Sequence, residues 1–257
     1  MLNRSLLFAA LFFLVAGCAG MRKEGIGPGD FLGLSSGSRE HWSAALDRPA
    51  RNVVALSLAS SALALQINGA DRHWQREIAR HGYGPGNSPG TGSDIGQLVL
   101  PGAALVSPLL FAPHPELGVP KLDYVATGAY ALGANLAINQ IVKVAVGRTR
   151  PDGSSFSFYS GHTTAAFTGA QLLYRMYGWK AGVPAYAAAS LVGLYRVEAS
   201  KHFPSDVLVG AAMGIWITDL IYEKNHGDAG LFTSAHRTAL VPIVSRERTG
   251  LALSWSW

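Results

Sequence analysis

Six apolar stretches of helix length dominate this sequence and leave little room for any other architecture. They run over residues 53–67, 95–111, 124–146, 163–177, 181–195 and 206–222, each longer than a typical strand. A polar helix is predicted over 71–81, and the stretch 82–93, crowded with Gly and Pro, is expected to be an irregular loop. The fold class is therefore all-α, a helical bundle of about six core helices. With 257 residues, 49% of them apolar, the chain can bury one sizeable core.

Whether such a bundle enters a membrane depends on its polar content. A spanning helix needs about 18 or more residues with few charges. Here Asn135, Asn139, Gln140, Gln171, Arg175 and Asp219 interrupt the apolar runs. The expectation is a bundle whose helices are apolar nearly all round and which does not cross the bilayer.

The two ends differ from the middle. Arg4, an apolar run over 6–16 and then Gly17-Cys18-Ala19-Gly20 have the layout of an export signal. Val15-Ala16-Gly17-Cys18 resembles a bacterial lipobox, so the signal peptide would occupy 1–18, with Cys18 lipidated as the mature N-terminus. A plain secretory peptide with an incidental cysteine is the alternative. Ala19, where a retention aspartate might otherwise stand, points to the periplasmic face of the outer membrane, which makes an exported envelope lipoprotein the expected localisation. Residues 19–38 are rich in Gly, Ser and charge and form a tether. The helical domain follows over 39–230.

Over 231–257 the pattern changes to period two. Leu251, Leu253, Trp255 and Trp257 fall on one face and Ala252, Ser254 and Ser256 on the other, with a turn at 246–249. A small C-terminal β-hairpin packed on the bundle is expected, because a lone hairpin cannot close a barrel and its edges could not be left in lipid.

Composition also excludes functions. One cysteine cannot make an internal disulfide, and neither zinc-site nor two-metal spacings occur. The net charge of +5 is scattered, which suits an anionic ligand and no nucleic acid.

Three polar clusters carry the chemistry. Lys143 and Arg150-Pro151 are seven residues apart, one helix face if the helix ends just before the proline. Tyr159-Ser160-Gly161-His162-Thr163-Thr164 follows a Ser/Gly loop and opens an apolar helix, where backbone amides bind anions and Gly161 permits close approach. Arg196, His202 and Asp206 surround Pro204-Ser205 at another helix start. A carboxylate four residues after His202 could accept the imidazole N–H, leaving the other nitrogen as a nucleophile. Each cluster alone also fits a bland role: cations at a helix C-terminus, a Ser160 or Thr163 cap, a surface His–Asp pair.

Taken in order, Lys-x6-Arg-Pro, Ser-Gly-His and Arg-x5-His-x3-Asp resemble the three-part pattern of the type 2 phosphatidic acid phosphatases, a scaffold shared with bacterial class A acid phosphatases and vanadium-dependent haloperoxidases. The resemblance covers about residues 122–222. Tyr159 stands where that pattern has proline and Tyr195 where it has serine, departures that bear on loop geometry and substrate fit.

The resemblance implies a phosphatase working through a phosphohistidine on His202, with Asp206 stabilising the imidazolium and His162 as acid and then base. Lys143, Arg150, Arg196 and the amides of Ser160 and Gly161 would hold the phosphate oxygens, with no cofactor and no metal. The substrate would be a phosphomonoester or diphosphate, either a lipid phosphate or isoprenoid diphosphate or a small soluble phosphoester, and the apolar helices and the lipid anchor to the membrane favour the lipid. A periplasmic acid phosphatase for soluble substrates, a haloperoxidase and a non-enzymatic envelope lipoprotein with a vestigial site are the alternatives.

Overall fold

A computed structural model describes residues 49–82 and 89–226; for 237–244 and 249–256 it gives an extended backbone only. The export signal with Cys18 and the tether over 19–38 lie outside the described residues, and the tail hairpin remains an expectation of the sequence. Among the described residues there are seven α-helices: α1 Pro49–Ile67, α2 Ala70–His81, α3 Pro89–Leu110, α4 Lys121–Val146, α5 Gly161–Tyr177, α6 Trp179–Glu198 and α7 Pro204–His226. A 3-10 turn, Pro115–Leu117, joins α3 to α4. The all-α bundle is as expected, with the polar α2 added to the six apolar helices.

α5 is the axle, packed by α3, α4, α6 and α7. Its small residues make that possible. A Cβ on Gly169 would come 2.4 Å from the carbonyl carbon of Leu100, so α3 lies almost on the α5 backbone. From the other side Gly210 and Gly214 of α7 face the carbonyls of Ser160 and Thr164, each at 2.8 Å from the Cβ they lack. Alanine at Gly169 would overpack this crossing at a cost of about 1–3 kcal/mol.

The stretch 82–93 departs from the expected loop, since α3 already begins at Pro89. Proline suits a first helical position, where its missing N–H has no partner to lose. The glycines beyond it are used for packing: a Cβ on Gly92 would meet the Tyr195 ring at 2.8 Å, and one on Gly96 would meet Val192 at 2.3 Å. Local propensity alone reads these glycines as helix breakers, and tertiary contact with α6 overrides it.

The expectation of a bundle that stays out of the bilayer also changes. α3, α4 and α7, with 22, 26 and 23 residues, are long and apolar enough to cross a membrane. The polar residues that argued against spanning mostly point inward. Asn135 Nδ2 donates to Ala131 O and to Thr218 Oγ1, both at 3.1 Å. Gln171 donates to Asp219 at 2.7 Å, Arg175 pairs with Asp219 at 3.5 Å, and the Tyr186 hydroxyl donates to Gln171. Asn139 is likewise buried, whereas Gln140 faces outward. The outer faces of α3 and α4 show Leu98, Val99 and Leu109, and Leu136, Ile141 and Val144. Intramembrane polar groups are tolerated in this inward, partnered arrangement.

Candidate active site

The three polar clusters converge at one end of the bundle, where α4 and α6 finish and α5 and α7 begin. α4 stops at Val146, and Gly147, in the left-handed region, donates its N–H to Lys143 O at 3.0 Å. Arg150 therefore does not share a helix face with Lys143; the loop after α4 brings it back. Lys143 lies within electrostatic range of Arg150, Arg196 and Asp206. Its ammonium is 3.7 Å from where a Cβ on Gly161 would stand, and Asn139 Oδ1 is 2.8 Å from the same point. A side chain at position 161 would press on the Asn139 amide, so glycine lets the start of α5 sit this close to α4.

Ser160 caps α5: its Oγ accepts from Thr163 Oγ1 at 2.9 Å and from the Thr163 amide at 3.4 Å. The expectation that its own amide faces an anion is corrected, because Ser160 N–H donates to Asp206 O at 3.1 Å. The Ser160 carbonyl is also used, accepting from Thr164 Oγ1. The first-turn amides of Gly161 and His162 have no acceptor inside the helix, the arrangement by which helix N-termini in general bind anions.

His202 is 1% exposed. Its Nδ1 lies 2.7 Å from the Ser157 carbonyl, which can only accept, so Nδ1 carries the hydrogen and Nε2 keeps its lone pair. Here the second correction falls. Asp206 Oδ2 is 3.8 Å from Nδ1, an ion-pair distance and not a hydrogen bond, so a backbone carbonyl sets the tautomer. The Asp206 carboxylate takes three other donors: Arg148 Nη1 at 2.6 Å, Ser157 Oγ at 2.5 Å and Phe203 N–H at 2.9 Å. Burial pushes the His202 imidazole below its usual value, a fall that Asp206 opposes and Lys143 and Arg196 reinforce.

Arg148 is a residue the motif reading passed over. Its guanidinium bridges Asp206, Ser205 Oγ at 2.9 Å and Asp71 Oδ2 at 2.6 Å, and stacks on the Phe203 ring at 4.2 Å. Asp71, buried on α2, in turn accepts from the Ser205 amide at 2.9 Å and hydroxyl at 2.6 Å, capping α7 from another helix. The third cation between Lys143 and Arg150 is a signal that sequence could have offered; nothing near Asp71 offered one.

On the opposite side, His162 Nε2 lies 2.8 Å from Asp94 Oδ1 of α3, another residue outside the motifs. Arg196 Nη1 reaches Ser93 Oγ at 3.0 Å and Asp94 Oδ1 at 3.4 Å. Burial, with Arg196 beside it, lowers the His162 imidazole to about 4, against the pull of Asp94. Among the described residues the buried Nε groups of Arg150 and Arg196 have no hydrogen-bond partner, an uncommon state for a buried donor.

Lys143, Arg150, Ser160, Gly161, His162, Arg196, His202 and Asp206 thus all reach this end, and Cys18 lies outside the described residues. Fold and site together define a class: an all-α protein that gathers two histidines, three cationic side chains and a helix N-terminus at one end of its bundle. The chain belongs to the PAP2 superfamily, whose model matches residues 125–227. It is 30% identical over 157 residues to the lipid A 4'-phosphatase of Helicobacter pylori, a stretch covering 52% of this chain and 74% of that one. It is 38% identical over 119 residues to the lipid A 1-phosphatase of Porphyromonas gingivalis, covering 42% and 27%. A lipid A 1-phosphatase of Rhizobium johnstonii matches at 36% over 106 residues, covering 33% and 42%. The chain spans less than half the length of these two lipid A 1-phosphatases. The crystal structure of a transmembrane PAP2 type phosphatidylglycerolphosphate phosphatase from Bacillus subtilis aligns over 86% of this chain and 94% of that one, at 20% identity and a TM-score of 0.42.

Proposed function

We propose that this protein is a phosphatase of the bacterial cell envelope membrane that removes a phosphate from a phosphorylated lipid. The observation that carries the reading is the pair of unpartnered arginine donors, Arg150 Nε and Arg196 Nε, beside Lys143 and the first amides of α5. Such a ring meets the three non-bridging oxygens of a phosphoryl group, where transition-state charge must be stabilised. The outward apolar faces of α3 and α4 and the lipid A phosphatases among the relatives support a lipid over a soluble ester.

In this scheme His202 Nε2 attacks phosphorus while the ester P–O bond breaks, and His162 gives its proton to the departing oxygen. Water then attacks the phosphohistidine, His162 takes a proton from it, and the N–P bond breaks to release phosphate. The bound phosphate's negative charge, placed between His162 and Arg196, raises the imidazole from its low resting value and so supplies the acid form. Asp206 stabilises the positive ring through space. No metal enters the scheme; a lipid at Cys18 would add to a membrane attachment that the helices already provide.

The test is phosphate release in detergent micelles from an acylated glucosamine 1-phosphate, phosphatidic acid and p-nitrophenyl phosphate, by the wild type and His202→Ala, with and without EDTA. The wild type should turn over at least one lipid, EDTA should change nothing, and the variant should be inactive while keeping its helical content. Turnover surviving in His202→Ala, or abolished by EDTA, would sink the mechanism.

A further inference from the structure

We propose that Asp94 is a specificity-determining residue, selecting leaving groups that present hydroxyl or amide N–H donors, such as a sugar, over leaving groups that carry a second phosphate. The inference rests on the phosphatase reading above and deepens it. Asp94 belongs to none of the three motifs, and its position is set by packing. The missing side chains of Gly92 and Gly96 let the first turns of α3 press onto Tyr195 and Val192 of α6. Ser93 is thereby buried, donating to Gly90 O at 2.7 Å and accepting from Arg196 at 3.0 Å, which locks the register of α3 over the pocket.

Asp94, the next residue, then falls at the mouth. Its side chain is 61% exposed, so it is no part of the core, yet it touches the two groups a substrate would need. His162 Nε2, at 2.8 Å, is the nitrogen that would protonate the departing oxygen, and Arg196 Nη1, at 3.4 Å, belongs to the phosphate ring. Held at 2.8 Å from His162 Nε2, the carboxylate stands where the proposed scheme puts the departing oxygen. When substrate enters, the departing oxygen takes over His162 Nε2 and the carboxylate is left beside the substituents of the leaving group.

A carboxylate is an acceptor only. Beside a sugar it gains hydrogen bonds from hydroxyl or acylamino donors. Beside the second phosphate of a diphosphate it meets like charge, which disfavours that partner. Selectivity then comes from repulsion of one class as much as from attraction of the other.

The experiment uses the full chain in micelles and compares kcat/KM on an acylated glucosamine 1-phosphate with that on an isoprenoid diphosphate, for wild type, Asp94→Asn and Asp94→Ala. Because Asp94 is exposed, both variants should remain monodisperse. We expect the ratio to move toward the diphosphate by about tenfold or more in each variant, chiefly through faster diphosphate turnover. An unchanged ratio in both overturns the proposal. So does an equal loss on both substrates with a displaced pH profile, which would make Asp94 a partner of the His162 proton alone. A wild type that releases phosphate from neither of these nor from p-nitrophenyl phosphate defeats the phosphatase reading itself, a different outcome from an unmoved ratio.

Discussion

The two histidines lie within electrostatic range of each other at one end of the bundle and are held in opposite ways. His202 is enclosed: a backbone carbonyl fixes its Nδ1–H, and the nearby carboxylate is saturated by Arg148, Ser157 and Phe203. Arg148 then ties that carboxylate to Asp71 on a distant helix. His162 is partly open, and Asp94, which its ring nitrogen meets at 2.8 Å, faces solvent. The difference matches the demands of the proposed chemistry. Attack on phosphorus is the same for every substrate and gains from rigidity, whereas the leaving group varies and needs a side that can yield.

The sharpest way to break this contrast is Arg148→Ala. It leaves the carboxylates of Asp71 and Asp206 buried without their shared cation, a loss of about 3–5 kcal/mol. The melting temperature in micelles should fall, and kcat/KM should drop by about a thousandfold on every substrate. Arg148→Lys should recover little, because a point charge cannot bridge Asp71, Ser205 and Asp206 as the planar fork does. Wild-type activity in Arg148→Ala would show that the clamp is dispensable.

On the other side, His162→Asn should discriminate between substrates. Loss of a general acid lowers turnover of an alkyl or sugar ester by about a hundredfold. In kcat/KM, which reports the first step and not the later one in which His162 is the base, the same variant should lose much less on p-nitrophenyl phosphate, whose leaving group departs without a proton. An equal loss on both classes would remove the proton-donor role and with it the distinction between the two sides.

The two sides also differ in how far the sequence revealed them. Lys143, Arg150, Ser160 to His162, Arg196, His202 and Asp206 lie in three short windows whose spacing is a local property, so the pocket could be found without a structure. The partners that organise it are non-local. Arg148 bonds Asp71 from 77 residues away, Ser205 bonds Asp71 from 134, and Asp94 meets His162 across 68. No periodicity encodes such pairings. The start of α3 was missed for a related reason: its glycines read as breakers until α6 is packed against them. Polar content is a weak argument against membrane crossing, because composition counts Asn135 or Asp219 equally whether they face lipid or the bundle axis, and only the fold shows which way they point.

The smallest effect expected concerns acid stability, and it depends on His162 being held neutral. In the folded protein this imidazole stands at about 4, against 6.5 for an unperturbed histidine. Between those values an unfolded chain binds a proton that the folded chain refuses. The histidine's contribution to stability is therefore complete above about pH 6.5 and is lost as the pH falls toward 4. His202, lowered by burial as well, acts in the same direction. The melting temperature in micelles should decline from pH 7 to pH 5, and His162→Gln should flatten part of that slope by removing one titrating group. Inorganic phosphate should work the other way, since an anion between His162 and Arg196 favours the protonated ring and binds together with a proton. Relative to His162→Gln, where only the phosphate's own second ionisation alters binding, the thermal shift caused by phosphate in the wild type should gain as the pH falls from 7 to 6. Matching slopes and matching phosphate shifts in the two proteins would mean that His162 is no more restrained than a surface histidine, and the contrast between the two sides would rest on His202 alone.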